Sequence, residues 1–285
     1  MDFITLNDGN KMPILGFGTF QIPPSDTARC VRDALECGYR LIDTAQAYGN
    51  EKGVGEAINA AMKNGIKRED LFIETKVWIS NAGQVNAAKS IDESLKRLGL
   101  DYVDLFIIHQ PFGDYYGTYR ALMEAKNAGK IKSIGVSNFY PDRLVDLCQN
   151  VQVKPAINQI ELHPFFAKFS EQELNKKLDV SVQSWASFAE GKNGLFKNEI
   201  LSKIAQKHVK SVAGIVLRWL IQRGIAIIPK STHIERMREN IAVFDFVLDE
   251  SDLAQIATLD SNKTLFINHH SADAAQFLNS YKIPQ

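Results

Sequence analysis

Cysteine is scarce in this chain: three residues in 285, Cys30, Cys37 and Cys148, none of them in paired spacing. That excludes a disulfide framework and a thiolate metal site, and reduced thiols of this kind suit a cytoplasmic protein. Histidine offers no metal pattern either. His163 precedes Pro164, His269 and His270 adjoin near the end, and no His-x-x-x-His occurs, so no metal is expected. An excess of either charge is also missing, because 33 basic residues balance 33 acidic ones. Such neutrality argues against a chain whose work is to grip nucleic acid or an anionic membrane. No apolar run is long enough to span a bilayer, since the most apolar region, 212–228, is cut by Arg218 and Arg223. The opening Met1-Asp2-Phe3 lacks the basic region and apolar core of a signal peptide.

What is present is a repeating unit. Residues 3–14 alternate in polarity around Asn7-Asp8-Gly9-Asn10, which predicts a short hairpin. Apolar runs then recur at 15–20, 39–43, 71–77, 104–109, 133–136, 156–162, 180–185 and 225–229, each followed by helical patterning. The helices are expected from a cap at Ser25 or Asp26, then near 51–64, 83–98, 117–129, 141–149, 170–178, 197–207, 212–223, 233–243 and 250–259. Strands alternating with helices pair in parallel through right-handed crossovers, and eight such units close into a (β/α)8 TIM barrel. A doubly wound open sheet is the competitor. It is disfavoured because no G-x-G-x-x-G turn follows the first strand and the count reaches eight without a domain break. Residues 1–285 are therefore read as one barrel domain, with the hairpin closing its bottom and a tail, 265–285, without helical period that forms a mobile substrate loop.

In parallel α/β proteins chemistry sits at the C-terminal ends of the strands. Reading off those ends gives Asp43 and Tyr48 after the second strand, Lys76 and Trp78 on the third, and His109-Gln110 on the fourth. Ser137-Asn138, Gln159, Trp185 and Lys230-Ser231-Thr232 follow on the fifth to eighth. A free tyrosine titrates near ~10, and a neighbouring ammonium lowers that value by favouring the phenolate. Lys76 beside Tyr48, kept charged by Asp43, would therefore tune a general acid, with His109 orienting the oxygen that receives the proton. Taken singly these residues carry little, since a strand-end Asp is as often a helix cap and a lone His as often a core residue. A lone strand-end lysine is equally a Schiff-base nucleophile.

Several motifs lie in order along the whole chain. They are Asp43-Thr44-Ala45 with Tyr48, Asn50 and Glu51; Ser94-Leu95-Lys96-Arg97-Leu98 running through Asp101-Tyr102-Val103-Asp104-Leu105 to His109; Ile134-Gly135-Val136-Ser137-Asn138-Phe139; and Ile228-Pro229-Lys230-Ser231. Together they resemble the aldo-keto reductase family, of the bacterial diketogluconate reductase and prostaglandin F synthase type. The resemblance implies a cytoplasmic, monomeric (β/α)8 barrel that reduces aldehydes and ketones by hydride transfer from NADPH, with NADH bound at lower affinity. It implies Tyr48 as proton donor, Lys76 and Asp43 as its tuning pair and His109 as the residue that orients the carbonyl. Ser137, Asn138 and Gln159 would hold the carboxamide and Trp185 would stack on the nicotinamide. Lys230, Ser231, Thr232, Arg236, Glu239 and Asn240 would receive the adenosine end, and Phe20, Trp78, His109, Gln110 and Phe112 would line the substrate pocket. Gln110 departs from the Trp common after the family's His, and Phe20 stands where many members have Trp. Trp185 replaces a common Tyr, and Ala186-Ser187-Phe188 replaces Ser-Pro-Leu in the loop that helps cover the pyrophosphate. The family also contains nucleotide-binding regulatory subunits, so a non-catalytic relative is the alternative. All four catalytic types are present, which favours the enzyme.

Overall fold

The computed structural model describes residues 2–283. Strands β1 (Phe3–Thr5) and β2 (Lys11–Pro13) pair antiparallel, and Gly9, at φ +86°, supplies the left-handed residue that the Asp-Gly turn requires. Eight parallel strands follow in unbroken chain order: β3 (Phe17–Gly18), β4 (Leu41–Asp43), β5 (Phe72–Val77), β6 (Val103–Ile108), β7 (Ile131–Ser137), β8 (Ile157–Glu161), β9 (Ser181–Trp185) and β10 (Ala226–Ile227). Leu15 bridges in parallel to Ile227, and Gly16 N–H donates to the Ile227 carbonyl at 2.8 Å, so the last strand meets the first and the barrel closes. Closure is why the early glycines are needed. A Cβ on Gly16 would lie 1.9 Å from Leu41 Cδ2, and one on Gly18 would lie 2.6 Å from the Ile228 carbonyl oxygen.

Period-two alternation sorts the strand residues. One parity, with Ile42, Ile73, Phe106, Ile108, Ile134, Val136, Ile160 and Val182, faces outward into the layer shared with the helices. The other points inward and changes character along the axis. Leu41, Phe72, Leu105, Ile107, Ile157 and Ala226 make an apolar lower layer, sealed from below by Leu6 and Met12 of the hairpin. Above it the inward positions become Asp43, Glu74, Lys76, Gln159 and Gln183, all buried. The barrel is thus plugged at the bottom and polar at the top.

Helices α1 (Pro24–Glu36), α2 (Glu51–Lys63), α3 (Gln84–Leu98), α4 (Tyr115–Asn127), α5 (Pro141–Asn150) and α6 (Phe169–Lys177) follow β3 to β8 singly. Pairs α7 (Glu199–His208) with α8 (Val212–Gln222), and α9 (Ile234–Ile241) with α10 (Glu250–Ala257), follow β9 and β10. Two expectations shift. Helix α1 is capped at Pro23 and not at Ser25 or Asp26, because Pro24 fits the first turn, where its missing N–H costs no bond. Helix α4 starts two residues early because the Asp114 carboxylate caps it, accepting from Gly117 N–H at 2.7 Å.

The tail departs most. Within 265–285 it carries a further helix, α11 (Ala272–Ser280), capped by Ser271, which accepts from Ala274 N–H at 3.1 Å. The final residues of that segment, 284 and 285, and Met1 lie outside the described residues. The helix packs Leu278 against Trp78 and Phe112, and Trp78 Nε1 donates to the Tyr281 carbonyl at 3.1 Å. No helix among the described residues is long and apolar enough to cross a membrane.

Candidate active site

The upper polar layer builds the site. Lys76 extends from β5, fully buried, and its ammonium meets three oxygens: the Asp43 carboxylate, the Thr44 carbonyl at 2.9 Å and the Tyr48 hydroxyl at 3.2 Å. Tyr48 reaches this point because β4 ends at Asp43 and one 3-10 turn, Gln46–Tyr48, swings the phenol back over the barrel mouth. Gly49, at φ +66°, ends that turn. Asn50 and Glu51, part of the same motif, serve the scaffold. Asn50 accepts from Thr44 Oγ1 at 2.9 Å, and Glu51 accepts from Thr75 Oγ1 at 2.6 Å and from Arg97 Nε at 2.7 Å. His109 follows β6 directly, with its ring edge-on to Tyr48 at 5.6 Å and to Trp78 at 5.0 Å. Phe20 packs against the other side of Tyr48 at 5.0 Å. The structure therefore brings Asp43, Tyr48, Lys76, His109, Trp78 and Phe20 to one rim.

Electrostatically, burial penalises the Lys76 charge, but Asp43, Tyr48 and Glu74 outweigh it and hold its affinity for the proton above the usual lysine range. Burial keeps His109 neutral, with help from the Lys76 charge. For Tyr48 the expectation reverses. Burial raises its pKa to about 12, and the lowering by Lys76 does not offset it. The phenol is thus fully protonated at neutral pH.

Sequence reasoning missed Glu74. It shares β5 parity with Lys76, two residues away, and that parity was the signal available to find it. Glu74 Oε1 accepts from Gln159 Nε2 at 3.0 Å and its Oε2 from Gln183 Nε2 at 2.9 Å, while Gln159 Nε2 also lies 3.2 Å from Asp43 Oδ2. Burial first, and then the Asp43 charge, lift the Glu74 pKa to about 8.

This network changes the picture of the nicotinamide end. Gln159 spends its amide nitrogen downward on Asp43, Glu74 and Gln183, so only its Oε1 is left to offer a ligand. Asn138 is also engaged. Its Oδ1 accepts from Trp185 Nε1 at 2.9 Å, and its Nδ2 donates to Ser137 Oγ at 3.1 Å and to the His109 carbonyl at 3.2 Å. Ser137 Oγ donates to the Gln159 carbonyl at 2.9 Å. Trp185 is only half-buried, leaving a ring surface available for stacking. The residues present fit a planar amide-bearing ring, held by one acceptor and one aromatic face.

Around the rim, Lys230 and Arg236 are exposed, and neither pairs with a carboxylate among the described residues. Ser231 Oγ accepts from His233 N–H at 3.0 Å, shaping the entry to α9. Thr232 is half-buried, Glu239 exposed and Asn240 buried on the same segment. The departure at 186–188 opens a loop of left-handed residues, Ala186, Ala189, Glu190 and Asn193, a conformation that costs about 1 kcal/mol each for a residue with a Cβ. Lys192 at its tip donates to the Leu265 carbonyl at 2.9 Å and sits over Phe266. That ties the loop to the tail.

A closed parallel barrel with a lysine–carboxylate–phenol cluster at its C-terminal rim holds a protonated phenol where this architecture carries out its chemistry. Residues 14–261 match the model of the Aldo/keto reductase family, and the chain belongs to that family. It is 43% identical over 265 residues to a methylglyoxal reductase of Yersinia pestis, covering 92% of this chain and 94% of the relative. Among solved structures, an aldo/keto reductase from Brucella melitensis superposes with a TM-score of 0.87 at 45% identity, covering 91% of this chain and 99% of the other. One from Bombyx mori, solved in complex with NADP, superposes with a TM-score of 0.89 at 35% identity, covering 93% and 95%.

Proposed function

We propose that the chain is an NADPH-dependent reductase of small aldehydes and ketones. The observation that carries this is the Lys76 ammonium, in contact with both the Asp43 carboxylate and the Tyr48 hydroxyl inside a buried rim. NADPH, when bound, supplies the hydride to the carbonyl carbon. Tyr48 supplies the matching proton to the oxygen, and Lys76 stabilises the phenolate left behind. Neutral His109 orients that oxygen by hydrogen bonding without competing as an acid. Gln159 Oε1 accepts from the carboxamide, Trp185 stacks on the ring, and Ser137 and Asn138 hold that wall in register. Lys230 and Arg236, with Ser231 and Thr232, take the 2′-phosphate, while Glu239 and Asn240 take the adenine side. Phe20, Trp78, Gln110 and Phe112 enclose the substrate.

A Schiff-base role for Lys76 fits less well, because its nitrogen is surrounded by three oxygens that hold it protonated. The name of the Yersinia pestis relative makes a small 2-oxoaldehyde the first substrate to try. The test is loss of reduced-nicotinamide absorbance when the chain meets NADPH and a panel of aldehydes led by methylglyoxal. Consumption above the no-protein rate is expected, and none with any aldehyde would defeat the proposal.

A further inference from the structure

The wall beside His109 contains a chain of hydrogen bonds whose direction is settled by its first member. Trp185 Nε1 can only donate, and it does so to Asn138 Oδ1 at 2.9 Å. The other end of that amide, Nδ2, is therefore the donor, and besides Ser137 Oγ and the His109 carbonyl it reaches Gln110 Oε1 at 3.3 Å, sharing its hydrogens among them. His269, arriving from the tail, contacts the same Gln110 oxygen through Nε2 at 2.8 Å, so this imidazole nitrogen must carry a hydrogen. His269 is buried, stacked nearly parallel on Phe112 and edge-on to Tyr140. Burial holds its pKa down to about 4, so the ring is neutral near pH 7, and the contact with the Gln110 oxygen places its one hydrogen on Nε2.

With its oxygen taken twice, Gln110 has one polar end left, the amide nitrogen, which donates to nothing among the described residues. It follows directly on His109, the residue proposed to orient the reacting carbonyl. Resting on the reductase reading above, we propose that Gln110 is a specificity-determining residue. Its N–H donates to an oxygen on the carbon next to the reacting carbonyl, selecting 2-oxo and 2-hydroxy aldehydes and ketones. His269 acts through it as a positioning residue, locking the amide so that the nitrogen cannot turn away. A substrate lacking that second oxygen leaves the donor unmatched, and a site built to hydrogen-bond a group discriminates against the analogue without it.

The experiment compares kcat/KM with NADPH for methylglyoxal and for propanal, which has the same carbon count and no second oxygen. In Gln110→Met the methylglyoxal-to-propanal ratio should fall about fivefold or more, the worth of one neutral hydrogen bond. Gln110→Glu keeps the size and the acceptor for Asn138 and His269 but loses the donor, so it should lower the ratio at least as far. His269→Phe should also lower the ratio, mainly through KM for methylglyoxal, whereas His269→Gln, which restores an N–H, should recover much of it. An unchanged ratio in Gln110→Met and Gln110→Glu, in a chain active on both aldehydes, would overturn this assignment alone. If His269→Phe and His269→Gln gave the same ratio, His269 would be packing only. A wild-type chain inactive toward both aldehydes would overturn the reductase reading and this one with it.

Discussion

At the scale of single residues, the site places two carboxyls against one ammonium. Asp43 and Glu74 are register partners on β4 and β5, both buried; Lys76 pairs with Asp43, and Glu74 lies close enough to feel the charge of both. Burial raises both acids, Glu74 to about 8 from an ordinary 4.5. Over that window the native state holds a proton that the unfolded state has released. Stability from this group is therefore complete below the lower value and lost as pH rises through the upper one. Glu74→Gln should flatten that decline. Urea midpoints taken at about pH 6 and about pH 9 should differ less in the variant than in the wild type. Equal differences would remove Glu74 as the proton carrier. Lys76→Met leaves the buried Asp43 carboxylate without its counter-charge, which should cost about 3–5 kcal/mol of stability and about 10²-fold or more in turnover. Its dissociation constant for NADPH should stay near that of the wild type, and a large rise there would mean Lys76 holds the cofactor instead.

The rim tetrad was legible because Asp43, Tyr48, Lys76 and His109 all sit where strands end, a position that sequence patterning locates well. Glu74 and Gln183 were not read, although their parity places them inward, because a charged or amide residue inside an apolar run is usually taken for a surface one. His269 gave no signal at all. Its partner Gln110 lies 159 positions away, and nothing local in the tail marks a residue for so distant a contact.

Among the elements, the tail is the one whose character changed most between sequence and structure. Its helix α11 is short, with only Ala274 and Leu278 buried, too sparse a stripe to stand out as helical periodicity. What fastens the segment before it is Glu161, at the end of β8. This buried carboxylate accepts from Thr264 Oγ1 at 2.5 Å and from Leu265 N–H at 2.8 Å, and it faces His163 Nε2 at 3.1 Å. Glu161→Ala strips the shared acceptor from these half-buried donors, at a cost of about 1–3 kcal/mol. The loss should be local. Amide exchange over residues 264–283 should quicken while α1 and α2 keep their protection, and uniform quickening would place Glu161 in the global core instead. The barrel strands, by contrast, were legible to within about two residues at most ends, because a buried parallel strand writes itself as a continuous apolar run. The shortest, β3 and β10, were overestimated. They lie at the closing seam, where the ladder is held by few bonds.

For the molecule as a whole, the proposed function assigns two tasks to one rim: holding a dinucleotide along the edge and delivering a proton at the centre. The edge is tested through Lys230 and Arg236, both exposed and unpaired in the described structure beside the start of α9. Charge-assisted hydrogen bonds contribute about 1.5–3 kcal/mol each, so Lys230→Ala/Arg236→Ala should weaken NADPH binding by roughly 10²–10⁴-fold. NADH lacks the 2′-phosphate and should change little. Equal weakening of both cofactors would show that these residues do not read the phosphate. The centre is tested by Tyr48→Phe, with the cofactor dissociation constant and aldehyde turnover measured on the same preparation. Because general acid catalysis supplies about 10²–10⁴-fold, the variant should bind NADPH as the wild type does and lose at least that factor in turnover. Near-native turnover by the Phe variant would contradict the assignment of Tyr48 as the proton donor, and with it the mechanism proposed for this barrel.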